Sequence, residues 1–400
     1  MTLPSGIPLR RIDHLVIGAL TVAAIYFYAG FFFPDPYILS YGTHTRKILW
    51  FIRICLPLLY AGTVMLYVQV RRQKVDRASV ALLIVTALIT LSVAYTVGDI
   101  YYQHWADNHH AQYHPYLQLM PADDSVSQER KPGALSVYCV GGSTTELADS
   151  SGVDWPSRVE RELRTGYGMQ HVEVYNRGRQ WYTSLHTLIN YETNLRRHRP
   201  SVVLYMESVN DLLQNADFSY FSHGRFREDY GHFYGPVNRV INRRSLWRYL
   251  GDVIPALWFA RPRQALTTGI FPGAAAYARN IESLIELARN DSTRVVLMTE
   301  PCLLKPEMTE AELSAIWMIR VEAVNDTLAW SSETVLNGMR QYNDTVRAIA
   351  ARNRVPLIDL ERELPKSLTY FRDEVHYRDT AFPLIARFVA ARLHEILVSP

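Results

Sequence analysis

Three long apolar runs in the first quarter of this 400-residue chain constrain its fold more than any other feature. Leu15–Phe33 carries no charge, Ile48–Val70 carries only Arg53, and Val80–Val97 again carries none. About 20 such residues cross the hydrocarbon core of a bilayer as a helix. A helix buried in a soluble core is seldom so long and so free of charge, so all three runs are predicted to span a membrane. Arg53 lies near one end of its run, where a long side chain can reach the interface. A cleaved signal peptide is the rival for the first run, but Phe31-Phe32-Phe33-Pro34 offers no small-residue cleavage site.

Basic residues set the expected orientation. Arg10 and Arg11 precede the first run, and Arg71, Arg72, Lys74 and Arg77 fill the loop between the second and third, so both segments read as cytoplasmic. Arg46 and Lys47 in the first loop oppose this more weakly. Three crossings from a cytoplasmic N-terminus leave everything after Val97 on the extracytoplasmic side. The expected organisation is a membrane anchor over 1–97, a Tyr-, His- and Pro-rich extracytoplasmic connector over 98–133, and a folded domain over 134–400 with an insertion at about 217–264.

That domain alternates short apolar runs with amphipathic stretches. Leu135–Val140, Val172–Tyr175, Val202–Met206, Val295–Thr299 and Pro356–Leu360 read as strands, brief and apolar enough for a buried parallel sheet. Ile281, Leu284, Ile285 and Ala288 repeat at helical spacing before the fourth, and Tyr342, Val346 and Ile349 before the fifth. Strand alternating with helix predicts a three-layer α/β/α sandwich with a parallel five-stranded sheet. A whole-chain charge of +3 lacks the concentrated basic character of nucleic-acid binders, so no such partner is expected. Cys55, Cys139 and Cys302 cannot form a paired framework and no C-x-x-C is present; buried free thiols are expected, with a Cys139–Cys302 bridge as the alternative.

Four segments carry chemistry. Val140-Gly141-Gly142-Ser143-Thr144-Thr145-Glu146 turns from a strand through two glycines to a serine opening a helix. Such a turn presents a hydroxyl at the carboxyl end of a strand, where open α/β sheets bind their ligands. Asp373 lies three residues before His376, close enough for one loop to offer an acid and a base to the same pocket. Tyr175-Asn176-Arg177-Gly178 and Glu207-Ser208-Val209-Asn210-Asp211 follow the second and third strands. The Ser143 and Gly178 amides and the Asn210 side chain are the candidate oxyanion donors. Each segment taken singly also reads as an ordinary turn.

Together, and in this chain order, they resemble the SGNH (GDSL-like) hydrolase family. Gly142-Ser143-Thr144 looks like its serine block, Asn176-Arg177-Gly178 its Asn-x-Gly block, Val209-Asn210-Asp211 its Gly-x-Asn-Asp block with Ser208 in the glycine's place, and Asp373-Glu374-Val375-His376 its Asp-x-x-His block. Trp181 stands where many members keep a second glycine, and Ala381 where one is common. The resemblance runs from about Ala134 to the C-terminus. It implies that Ser143 attacks an ester carbonyl, that His376 takes its proton and that Asp373 holds the imidazole, with Ser143, Gly178 and Asn210 forming the oxyanion hole. No metal or organic cofactor is then required.

With the domain outside and tethered, the expected substrate is an O-acylated cell-envelope or exported glycan, acetylated above all. Lipid esters are an alternative. So is acyl transfer to a glycan by the same triad, which would call for a membrane acyl-donor partner, and so is a non-catalytic glycan-binding module. The histidines at 104, 109, 110 and 114 read as a solvated juxtamembrane stretch rather than a metal site. Trp105, Tyr101 and Tyr102 beside them fit an interfacial aromatic belt. The insertion, rich in aromatics and arginines, reads foremost as a helical cap on the domain. A sugar-stacking wall, or a patch of Leu246, Leu250, Ile254 and Leu257 on the bilayer, are its other readings. Pro301–Arg320 offers a second wall, and Asn290, Asn325 and Asn343 begin glycosylation-type triplets.

Overall fold

The computed structural model describes residues 10–34, 43–72, 76–109, 119, 133–214, 246–258, 264–316 and 328–398. Most of the connector, the aromatic and arginine run over 218–230, His110, His114 and Asn325 lie outside those residues. The chain forms two compact units, Met1–His110 with Asn242–Pro262, and Ala111–Ile241 with Arg263–Pro400.

The first unit begins with α1 (Arg11–Gly30), α2 (Thr43–Arg71) and α3 (Arg77–His109), all long and apolar enough to cross a membrane. Polar contacts make α1 and α2 antiparallel neighbours. Asp13, at the start of α1, accepts from Arg71 at 2.6 Å and from Tyr67 at 2.9 Å, both near the end of α2. At the opposite ends Arg53 donates to the Phe31 carbonyl at 2.8 and 3.1 Å, and its guanidinium lies over the Phe32 and Trp50 rings. The one charge within the second apolar run is thus satisfied at the helix end.

The second unit opens with β1 (Leu135–Gly141), α4 (Ser143–Glu146), α5 (Trp155–Gly166), β2 (Val172–Asn176) and α6 (Ser184–Asn190). β3 (Val202–Met206) leads into α7 (Val209–Gln214). The chain then crosses to the first unit for α8 (Leu246–Leu257) and returns at β4 (Gln264–Leu266). α9 (Ala274–Asn290), β5 (Arg294–Met298), α10 (Glu310–Ala315), β6 (Leu328–Trp330) and α11 (Ser332–Asn353) come next. β7 (Leu357–Ile358), α12 (Leu360–Glu363) and α13 (Ala381–Val398) complete the chain.

Five parallel strands in the order β2-β1-β3-β5-β7 form the main sheet, matching the five expected from the sequence. Strand residues alternate between two cores, which is why both faces read as apolar. Tyr138, Val140, Val203, Tyr205 and Leu297 pack with α9 and α11 on one side. Val137, Cys139, Leu204, Met206 and Met298 pack with α5 and α13 on the other. The predicted three-layer sandwich is therefore formed. A small parallel pair, β4 with β6, was not foreseen, because three-residue strands carry no usable periodicity.

α8 departs from the expected cap. Its Val253 and Leu257 pack with Phe31, Leu49, Ile48, Ile52 and Leu56 of the first unit. Of the patch that the sequence set on the bilayer, Leu257 is instead buried against this unit, while Ile254 is exposed. The free thiols expected at Cys139 and Cys302 are observed, both buried, and Cys55 is also unpaired.

Candidate active site

The strand order reverses at β1, which lies between β2 and β3, and such switch points open a crevice at the carboxyl ends of the strands. Ser143 sits there because of two glycines. A Cβ on Gly141 would lie 2.1 Å from the Met206 carbonyl oxygen of the paired strand β3, and one on Gly142 would lie 2.7 Å from Asn210 Nδ2. Only bare backbone lets β1 close on β3 and the serine turn close on Asn210. Ser143 then opens α4, so its amide has no carbonyl behind it in the helix. Trp155 Nε1 donates to the Thr144 carbonyl at 3.1 Å and fastens the short helix to the core.

The distant partner arrives on a tight loop. Phe371 bridges to Tyr377, and Arg372 N donates to the His376 carbonyl at 3.0 Å, closing the loop around Asp373. Ser143 Oγ lies 2.8 Å from His376 Nε2, and His376 Nδ1 lies 2.9 and 3.0 Å from the two Asp373 carboxylate oxygens. The carboxylate selects the tautomer with the proton on Nδ1, leaving Nε2 to accept from the serine. Burial by itself raises the Asp373 carboxyl. The His376 hydrogen bond and charge, with the His376 and Val375 amides, outweigh it and hold the group below the ordinary carboxylate value.

The middle two segments also converge on the serine turn. Asn210 is buried beside Gly142 and donates through Nδ2 to the Tyr182 carbonyl at 2.8 Å. Ser208 does not displace it. Its hydroxyl donates to the Glu207 carbonyl at 2.7 Å and lies 3.2 Å from the Tyr277 hydroxyl, turned toward α9. Gly178 lies against α4, where an added Cβ would meet Glu146 N at 2.6 Å. Its amide donates to Asn176 Oδ1 at 3.0 Å, and Asn176 Nδ2 in turn donates to the Thr145 carbonyl at 2.8 Å. Trp181, which replaces a glycine of the family pattern, has φ 65. The loop keeps the left-handed turn that glycine would adopt freely, at a cost of roughly 1–2 kcal/mol for a side chain.

One residue of this assembly escaped the sequence reading. Glu300 follows β5 and is buried. One of its oxygens accepts from Thr144 Oγ1 at 2.7 Å and the other from Val209 N at 2.8 Å. It thereby ties the neighbour of Ser143 to the neighbour of Asn210. The only sequence signal was a charged residue directly after an apolar strand. Glu300→Ala is expected to lose about 2–5 kcal/mol, since two buried donors lose their acceptor, and to lower kcat by up to about a hundredfold through misplacement of Ser143 and Asn210. Glu300→Gln keeps one acceptor and a group facing Thr144, so it should recover most of both in denaturation and turnover measurements.

Glu300 belongs to a buried carboxyl cluster with Glu207 and Asp211. Burial first, then the mutual repulsion of the carboxylates, raises Glu207. Burial likewise raises Glu300 and pushes Asp211 up to about 7. Thr187 donates to one Glu207 oxygen at 2.9 Å, while the other is buried without a hydrogen-bond partner among the described residues. The folded state therefore holds protons that the unfolded chain releases near pH 4. This contribution to stability is fully present below that range and is lost as pH rises through about 7. Asp373, with its lowered value, acts in the opposite sense in acid. Thermal denaturation in detergent should show stability falling between pH 5 and pH 8, and Glu207→Gln should make that fall shallower.

A serine, an imidazole and a carboxylate hydrogen-bonded in series beside a parallel sheet have the arrangement that serine hydrolases use on esters. This chain belongs to that class by sequence as well, for residues 139–381 match the GDSL-like Lipase/Acylhydrolase family, of which it is a member. No match arises among curated proteins. Several solved structures resemble it at low identity. Axe2, an acetylxylan esterase from Geobacillus stearothermophilus, is 13% identical with a TM-score of 0.41, covering 66% of this chain and 96% of its own. The acetyl xylan esterase AlAXEase is 16% identical at 0.38, covering 66% and 100%. LAE5, an α/β hydrolase from the metagenome of Lake Arreo, is 15% identical at 0.39, covering 65% and 95%. The family membership rests on the sequence match.

Proposed function

We propose that this protein is a membrane-anchored, extracytoplasmic serine esterase that removes O-acyl groups, acetyl foremost, from a cell-envelope or exported glycan. The observation that carries the reading is the hydrogen-bonded chain Ser143–His376–Asp373, in which Ser143 and His376 lie 233 residues apart. In the proposed cycle Ser143 Oγ attacks the ester carbonyl carbon while its proton passes to His376 Nε2. The oxyanion is held by the Ser143 amide and Asn210 Nδ2, with the Gly178 amide shared between it and Asn176 Oδ1. His376 then protonates the leaving sugar oxygen, and the C–O bond breaks to leave an acyl-serine. Water adds to that acyl group, giving its proton to His376. The carboxylic acid departs and Ser143 regains its hydrogen.

Three long apolar helices support the anchoring, and the basic residues at 10–11 and 71–77 support an outward-facing domain. The test uses the full chain in detergent, because a fragment starting at Gly98 would strip Val253 and Leu257 of α8 of their packing partners. A fluorophosphonate probe should label the wild type and spare Ser143→Ala, and acetyl esters should turn over faster than long-chain ones. A folded wild type that takes no label and cleaves no ester would sink the reading.

A further inference from the structure

We infer that α8 is an interfacial helix whose outward face sits in the lipid at the surface of the membrane. The inference rests on the reading that α1–α3 span a bilayer. α8 touches the three long helices of its own unit at both of its ends. At its start, Leu246 N donates to Asp99 Oδ1 at 2.9 Å, just past the third apolar run, and Trp247 packs edge-on against Tyr95. At its finish, Leu257 is wholly buried with Phe31 and Leu49. Trp258 there donates to the Phe27 carbonyl at 3.0 Å and stacks on the Phe27 ring.

These contacts fix the direction of the helix. Phe27 and Phe31 lie at the end of α1, Leu49 near the start of α2, and Asp99 toward the end of α3. In helices that cross a bilayer alternately, those three places share one side of the membrane. Twelve residues of helix extend about 18 Å, enough to reach across the ends of neighbouring helices. α8 therefore runs across the bundle at one surface rather than alongside it through the lipid.

Its inner face, Leu246, Leu250, Val253 and Leu257, follows helical spacing toward the bundle. The neighbouring face presents Trp247, Gly251, Ile254 and Pro255, all exposed and uncharged, with Trp247 71% exposed. An apolar face at this level, continuous with the exposed apolar surfaces of the spans and beside Tyr26, Tyr95 and Trp258, has the make-up of a helix lying in the headgroup region. The occupant it fits is lipid. The chain between α7 and β4 thus meets the membrane surface through α8.

Spin labels test this in the full chain, carried in a Cys55→Ser background because Cys139 and Cys302 are buried. The protein is reconstituted into vesicles of phosphatidylcholine and phosphatidylglycerol. Labels at Trp247→Cys and, separately, Ile254→Cys are read with oxygen and with a water-soluble nickel chelate. Leu88→Cys, exposed in the middle of α3, reports the span, and Glu333→Cys, exposed on α11, reports water. Oxygen collisions should exceed nickel collisions several-fold at 247, 254 and 88, and the order should reverse at 333. If 88 follows this pattern while 247 and 254 behave like 333, the interfacial placement is overturned and the span stands. Labels at 247 and 254 that neither reagent reaches would mean a protein partner covers the face, which also overturns it. Nickel exceeding oxygen at 88 would remove the membrane reading itself. Should Trp247→Cys misfold, Ile254→Cys alone decides.

Discussion

Ser143→Ala is expected to lower kcat for an acetyl ester by roughly 10⁴- to 10⁶-fold while leaving the fold intact. The side chain removed is the one 2.8 Å from His376 Nε2, and no other described hydroxyl takes its place there. His376→Ala should lose a similar amount, because a serine without a base is a poor nucleophile near neutral pH. The double variant should be no worse than either single one. Groups that act as a unit give such non-additive losses. KM should change little, since Asn210 and the Ser143 amide remain to hold the ester. Initial rates with purified variants settle the matter. A Ser143→Ala protein with more than about a hundredth of the wild-type rate would place the nucleophile elsewhere, given the scale of such losses.

Gly141→Ala should be the most damaging small substitution in the second unit. The new Cβ would sit 2.1 Å from the Met206 carbonyl and 2.7 Å from Thr145 Oγ1. The first neighbour is backbone in the central strand pair and cannot rotate away. Either β1 leaves β3 at its carboxyl end or the serine turn is displaced, and both destroy the site. A loss above about 4 kcal/mol is expected, in the range that only core overpacking or comparable faults reach. Gly269→Ala is the matched control, with nothing within 4 Å of its Cβ. Denaturation midpoints of the two variants, side by side, should differ widely. Near-equal midpoints would mean that the β1–β3 contact is looser than the structure shows.

Much of the architecture was legible in the residues. The five main strands announced themselves because a sheet covered on both faces needs unbroken apolar runs, and Val202–Met206 is such a run. The serine turn was legible only in company, because Gly141-Gly142-Ser143 is followed in order by the segments around Gly178, Asn210 and His376. What stayed hidden lies in contacts between distant residues. Glu300 has no motif around it, and its importance exists only once Thr144 and Val209 stand on either side of it. The left-handed backbone of Trp181 could not be read from a tryptophan, which by itself suggests nothing of the kind. α8 looked like a cap because a sequence pattern shows that a helix has an apolar face, and says nothing of what meets it.

The amino-acid order by itself determined the five main strands, the span-length helices and the chain order of the four chemical segments, since these follow from local periodicity and turn chemistry. Tertiary structure alone decided that Ser143 and His376 touch, that three buried carboxyls share one site, and that residues 242–262 leave the second unit for the first. Those outcomes depend on packing between segments far apart in the chain, where a free-energy difference of a few kcal/mol selects one partner and no local pattern records the choice.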